Sequence, residues 1–336
     1  MKAGTVSFPV PDTDVNDTST DLACSLLADG TLALRADVWT ESQVRHWLPY
    51  LPADVTPLES PATIQVTLQK ALHGTPSVQS DLVLGPVEAS LFASGRGVAL
   101  HARNQVLSGT IDLVRLDAAI HVAPVAARPQ PRNAAVFSAL TLSAAFLLNR
   151  MRRALLHAAA VVAPDGRAWL MVGDAFAGKT TTTVTLIRAG WDYLSDDHVI
   201  IARDTDANII VEGWPRIFHL DRGYDDGVSL GERDAVHPAA LGPGRWRRTA
   251  PLAGVLFPRI AADQDTRTAP ASGADALARL IRQSPWLLAD REPARDVLQL
   301  LSDTVAAGSS DLLLGRDSYR NPERLLAALR PVTGTA

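Results

Sequence analysis

Apolar and polar positions change rhythm along this chain. Up to about residue 128 the apolar residues come in short runs broken by turn residues. That pattern predicts strands at Leu32–Val38, Thr63–Leu68, Val87–Leu91, Val98–Ala102 and Thr110–Leu116. Pro124, Pro129 and Pro131 then mark a boundary, and an unbroken apolar pattern predicts a helix from Ala134 to Leu156. Beyond it, Ala158–Val162 and Ala168–Val172 flank Pro164-Asp165-Gly166, which reads as a hairpin. Thr180–Ala189 reads as a helix closed by Gly190. A second hairpin is expected from His198–Ala202 and Ile209–Val211 around the polar turn Asp204–Asn208, followed by a strand at Leu252–Phe257. Helical patterns at Ala274–Arg282, Ala294–Leu301 and Pro322–Leu329 close the chain. The expectation is a β-rich α+β unit over residues 1–128 and an α/β unit with a mixed sheet over 133–336.

The 336 residues, 47% hydrophobic, are enough for a large core, and a net charge of −4 gives no general pull toward nucleic acid or anionic membrane. Cys24 is the only cysteine, so no internal disulfide and no cysteine-based zinc cluster can form, in keeping with a reducing compartment. Met1–Asn16 lacks the basic start and apolar run of a signal peptide. The apolar stretch Ala134–Leu148 is too short to span a bilayer. A cytoplasmic protein is expected, with no membrane or nucleic-acid partner, and a homo-oligomer is compatible with these features.

Chemistry concentrates after the first hairpin. Gly173-Asp174-Ala175-Phe176-Ala177-Gly178-Lys179-Thr180 fits the phosphate-loop pattern G-x-x-x-x-G-K-[ST], placed between a strand and a helix. Such a loop surrounds phosphate oxygens with backbone N–H groups. Its lysine reaches the β- and γ-phosphates, and its threonine hydroxyl reaches Mg²⁺. Thr181, in the first helical turn, joins this nucleotide-binding set. Lysine is otherwise scarce, occurring only at positions 2, 70 and 179.

Where the chain should return from the helix stand Ser195-Asp196-Asp197. Beside a phosphate loop, one carboxylate can hold Mg²⁺ and the other can accept the proton of an attacking hydroxyl. An Asp-capped turn is the plain alternative. The working assignment makes Asp196 the base and puts Asp197 with Thr180 on the metal. Glu212 is a candidate to complete the metal shell, or is simply a carboxylate at a strand end. Arg259, ending a strand, is a candidate phosphate contact. Arg245-Trp246-Arg247-Arg248 is either a phosphate clamp or an exposed basic loop. His198 reads as structural, or as orienting a carboxylate.

The segment from Leu156-His157-Ala158-Ala159 through the loop to Leu194-Ser195-Asp196-Asp197-His198-Val199 resembles the HPr kinase/phosphorylase superfamily, whose core is related to ATP-dependent phosphoenolpyruvate carboxykinase. His157, Gly173, Asp174, Gly178, Lys179, Thr180, Asp196 and Asp197 fall on that family's frame. The resemblance implies a P-loop kinase core using ATP and Mg²⁺, and it implies a place for His157 near the transferred phosphate. A hydrogen-bonded histidine at a helix-to-strand joint is the other reading of that residue. The family's second signature has only an echo in Glu212-Gly213-Trp214-Pro215-Arg216, and residues 1–128 do not match the usual N-terminal domain of HPr kinase. The chain is more similar to HPr kinase-related proteins encoded beside peptide-modification genes, including those that phosphorylate lasso peptide precursors. The expected activity is phosphorylation of a hydroxyl, a serine on such a peptide. A small-molecule kinase, an HPr-type protein kinase and a non-catalytic nucleotide-binding regulator are the alternatives. Residues 1–128 would then bind the peptide or another partner.

Overall fold

The computed structural model describes residues 22–37, 44, 48, 61–69, 81–103, 105–123, 134–214, 216, 218–221, 233–236 and 240–334. The three boundary prolines and Met1–Asn16 lie outside these residues.

The first part of the chain forms one eight-stranded sheet. Its strands are β1 (Leu22–Ser25), β2 (Leu32–Ala36), β3 (Ala62–Leu68), β4 (Leu82–Leu84), β5 (Val87–Leu91), β6 (Gly97–Ala102), β7 (Leu107–Asp112) and β8 (Asp117–Val122), in the order β1-β2-β3-β8-β7-β6-β5-β4. β4 to β8 run as an antiparallel meander, whereas β3 lies parallel to both neighbours. Period-2 burial along β2, β3 and β7 gives the sheet a buried face. Helix α1 (Ala135–Arg150) covers that face and is buried on all sides from Ala135 to Asn149, because the second sheet lies against its other side. Leu155, Ile200, Trp214 and Trp286 extend the same core into the second half of the chain.

Two expected boundaries are corrected here. The strand read over Thr110–Leu116 ends at Asp112, the last residue of β7, and residues 113–116 form a reversal. Asp112 accepts the N–H groups of Val114 and Arg115, Leu116 takes φ +58°, and the chain returns as β8. Helix α1 stops at Arg150 and not at Leu156. The N–H of Arg153 bonds back to Leu148 O, Arg152 takes φ +58°, and Ala154–Leu156 become the strand β9.

The second sheet has nine strands and is mixed, as expected. It holds β9, β10 (Ala158–Val162), β11 (Ala168–Val172), β12 (Asp192–Ser195), β13 (Val199–Arg203), β14 (Ile209–Gly213), β17 (Thr249–Ile260), β18 (Arg267–Pro270) and β19 (Ser309–Leu314). Strands β15 (Phe218–Asp221) and β16 (Arg233–Val236) pair separately. The order is β12-β10-β11-β17-β14-β13-β9, with β19 beside β17 and β18. The hairpin β10–β11 is antiparallel through Gly166 at φ +83°, while β11 runs parallel to β17. Alternate residues of β10 face opposite layers. Ala158, Ala160 and Val162 meet α3 (Gly273–Arg282), α4 (Trp286–Ala289) and α5 (Ala294–Ala306), while Ala159 and Val161 meet α2 (Lys179–Arg188) and, past the short helix α6 (Arg316–Arg320), α7 (Pro322–Thr333). Among the described residues no helix is long and apolar enough to cross a membrane.

Candidate active site

β11 is buried along its whole length, so it delivers the loop from Gly173 onward at a fixed point of the sheet. The loop then turns tightly. Ala177 N–H bonds to Asp174 O at 3.2 Å, Phe176 and Gly178 take φ +65° and +100°, and Thr182 N–H opens α2 by bonding to Gly178 O. The φ of Gly178 favours glycine, and a Cβ there would lie 2.5 Å from Leu314 Cδ1, so that leucine would have to shift. No side chain caps α2, and the positive end of its dipole faces the loop, where it favours an anion. Lys179 is buried, with its ammonium bonded to the loop's own carbonyls, Gly173 O at 2.6 Å and Asp174 O at 3.0 Å.

On one side of the loop lies a cleft of about 460 Å³. Its walls bring Ala175, Phe176, Gly178, Lys179, Thr180 and Thr181 together with His157, Asp196 and Asp197. The two aspartates occupy the link between β12 and β13, and β12 is seated by β10. Gly213 sets how closely β14 approaches β12, because a Cβ on it would stand 2.1 Å from Leu194 O.

The carboxylates have different surroundings. Asp197 is tied to one guanidinium and two imidazole rings. Its Oδ2 bonds to His198 Nδ1 at 2.7 Å and to Arg216 Nη1, and its Oδ1 lies 3.4 Å from His157 Nε2. Asp196 accepts the N–H of His219 at 3.2 Å, and burial raises its pKa against the opposing pull of Arg216. Burial pushes His198 down to about 4, with Asp196 acting the other way. Burial, then His198, Lys179 and Arg216, push His157 down to about 3. Both rings are therefore neutral at pH 7, which makes His198 Nδ1–H the donor to Asp197. The rings stack at 5.5 Å, and Phe137 of α1 meets His198 edge-on while its face carries Arg216 at 4.4 Å.

Not every candidate reaches this cleft. Gly173, Asp174, Ala177 and Arg259 line a second cavity of about 260 Å³ across the loop. There Asp174 accepts Gln283 Nε2 at 3.1 Å, while Gln283 O receives the N–H of His157. Glu212, the candidate to complete the metal shell, does not line this cleft. It is buried on β14, and its Oε1 accepts Ala28 N–H at 2.6 Å and Arg248 Nε at 3.2 Å, joining the β1–β2 turn to the second sheet. Burial pushes its carboxyl up to about 7, with Arg248 opposing. The basic loop is likewise no free clamp. Arg247 Nε holds Asp192 at 2.5 Å, Trp246 Nε1 donates to Leu194 O at 3.1 Å, and backbone bonds from Arg245 and Arg247 seat the segment on Tyr193.

Arg216, His219 and Gln283 were missed as site residues. Arg216 lay in a segment read only for its family echo, and Gln283 meets the loop 109 residues away, beyond the reach of local spacing.

Fold and cleft together define a mixed α/β protein whose glycine–lysine–threonine loop faces a carboxylate pair. No family model matches the chain, and no curated protein matches it. Among solved structures it is similar to the Hpr(Ser) kinase/phosphatase from Coxiella burnetii, at 12% identity and a TM-score of 0.31, over 53% of this chain and 94% of that one. A likeness of this depth decides neither fold nor activity, and the functional reading rests on the residues of the cleft.

Proposed function

We propose that the chain is an ATP- and Mg²⁺-dependent phosphotransferase acting on a hydroxyl, the serine of a small peptide. The observation that carries the reading is that one cleft holds Lys179, the N-terminal turn of α2 and the half-buried carboxyl of Asp196. In this reading the triphosphate displaces the carbonyls of Gly173 and Asp174 from Lys179, whose charge then stabilises the transferring phosphoryl group. Asp196 takes the proton of the acceptor hydroxyl as its oxygen bonds to the γ-phosphorus, and ADP departs with the electron pair of the broken bond. Burial raises the Asp196 carboxyl, which makes it a stronger proton acceptor than an exposed carboxylate.

The donors suit Mg²⁺. Among the described residues no group of three or more His, Cys, Asp or Glu is placed to cage a metal, but Mg²⁺ in kinases takes one or two carboxylates, with phosphate oxygens and water completing its shell. Thr180 and Asp197 would hold it, and when bound it would neutralise charge on the β- and γ-phosphates. His198 and Arg216 hold the Asp197 carboxylate in place for that task.

Residues 1–128 are taken as the partner-binding unit and 133–336 as the kinase unit. The peptide acceptor, in the manner of a lasso peptide precursor, is supported by the resemblance described above and by the degraded HPr signature. An extended peptide can add to a sheet edge and present its hydroxyl to the cleft. Incubation with γ-labelled ATP, Mg²⁺ and three acceptors tests this: a precursor peptide encoded nearby, HPr, and small hydroxylated metabolites. Label on a peptide serine is expected. Label on HPr alone would reject the peptide acceptor, label only on a metabolite would make the chain a small-molecule kinase, and nucleotide binding without transfer to any acceptor would make it a regulator.

A further inference from the structure

Phe176, in the middle of the phosphate loop, takes φ +65°, the left-handed region that glycine or asparagine adopts readily and a bulky side chain avoids. Its ring is 85% exposed, so packing within the chain offsets little of that strain. Backbone outliers of this kind cluster at sites that use them. Ile260, the last residue of β17, lines the same cleft and is 61% exposed. It stands beside the loop, since a Cβ on Gly178 would lie 3.9 Å from its Cγ1. Large apolar side chains are exposed at six of the described positions, and these two share one cleft with Lys179 and Asp196. Single exposed apolar residues are ordinary, whereas a pair placed in a polar cleft marks a contact surface.

We propose that Phe176 and Ile260 hold an apolar side chain of the acceptor peptide, two residues from the serine that Asp196 deprotonates. This rests on the peptide-kinase reading above and adds a feature that the acceptor sequence must carry. A phosphate loop wraps the β- and γ-phosphates, so its tip stands at the reacting end of the nucleotide, where the acceptor enters. Phosphate oxygens are charged and hydrogen-bonded, and they gain nothing by covering a phenyl ring. In an extended peptide alternate side chains share a face, so the residue two places from the serine points the same way and stands about 7 Å along the chain. An apolar side chain there removes the phenyl ring and the isoleucine from water, which a small polar metabolite cannot do.

Transfer from γ-labelled ATP by the full chain is measured on two short synthetic peptides of otherwise identical sequence, with leucine or with asparagine two residues to either side of a single serine. Wild type is expected to favour the leucine peptide at least about tenfold in kcat/KM, carried by KM, the scale of one buried apolar side chain. Two variants remove the apolar pair: Phe176→Asn, whose side chain suits the left-handed backbone, and Ile260→Ser at an exposed strand end. Each is expected to cut the preference to within about threefold and to move the KM for ATP by less than about threefold. The thermal midpoint of Phe176→Asn is expected to be no lower than that of wild type. Equal use of the two peptides by wild type, or a preference that survives both substitutions, overturns the proposal while leaving the kinase reading standing. A KM for ATP that rises as the preference falls assigns the ring to the nucleotide, and a lower midpoint in Phe176→Asn assigns it to the stability of the loop; either also overturns the proposal. Transfer to neither peptide overturns the peptide acceptor itself, and this proposal with it.

Discussion

At the residue level, the site is a set of buried and half-buried charges held by specific partners. Lys179 spends its hydrogen bonds on the loop's own carbonyls, so Lys179→Ala removes charge from the transition state and little from the core. Phosphoryl transfer should fall by at least about 10², in the range seen when one charge-stabilising donor is lost, while the thermal midpoint stays within a few degrees. Unchanged turnover in the folded variant would refute the role of the loop. Titration gives a second prediction. His198 is buried and neutral, with its pKa pushed down to about 4 from an ordinary 6.5. The unfolded chain therefore binds the proton that the folded chain refuses, and stability falls as pH drops from about 6.5 toward 4. His198→Asn should make that acid limb of a thermal-melt series shallower, with His157 supplying part of what remains, whereas an identical limb in the variant would place its cause elsewhere.

At the scale of elements, much of the second sheet could be read in the sequence because local rules fix it. The β10–β11 hairpin is announced by Pro-Asp-Gly between apolar runs, and α2 is closed by Gly190 at φ +93°. The phosphate-loop pattern placed the turn between β11 and α2 for the same reason, since all its parts are adjacent in sequence. What escaped was set by distant partners or hidden turns. β19 was missed, and it is held by β17 and β18. The reversal after Asp112 passes through Leu113, Val114 and Leu116, apolar residues that imitate a strand. Glu212 has the right chemistry for a metal ligand and the wrong address, which only the pairing of β14 with β17 and the approach of Ala28 reveal. One element-scale prediction follows from the close approach of β14 to β12. Gly213→Ala would push Leu194 and the aspartate link aside, with a loss of about 2 kcal/mol, the usual cost of overpacking, and a loss of transfer activity. Wild-type stability and activity together in this variant would mean that the link does not depend on that contact.

At the scale of the whole molecule, one core runs from the first sheet through α1 to Trp214 and Trp286, and α1 lends Phe137 to the ring cluster behind the cleft. The sheets are also tied by polar groups. Glu212 receives Ala28 N–H, and Arg153 holds Asp29. Because burial raises Glu212 to about 7 from an ordinary 4.5, the folded state keeps a proton that the unfolded state gives up. That contribution to stability is complete below about pH 4.5 and is lost as pH rises through 7. Glu212→Gln, which keeps an acceptor for Ala28, should narrow the difference in thermal midpoint between pH 5 and pH 8. An unchanged difference would show that the junction does not titrate.

Asp196 as the base of a phosphotransferase is put to the test by one paired measurement: the single-turnover rate of transfer from γ-labelled ATP by Asp196→Asn, with ATP affinity determined on the same sample. The expected rate lies at least about 10² below wild type, the usual contribution of general-base catalysis, with ATP bound as tightly as before. Transfer at the wild-type rate by a variant that still binds ATP would contradict it.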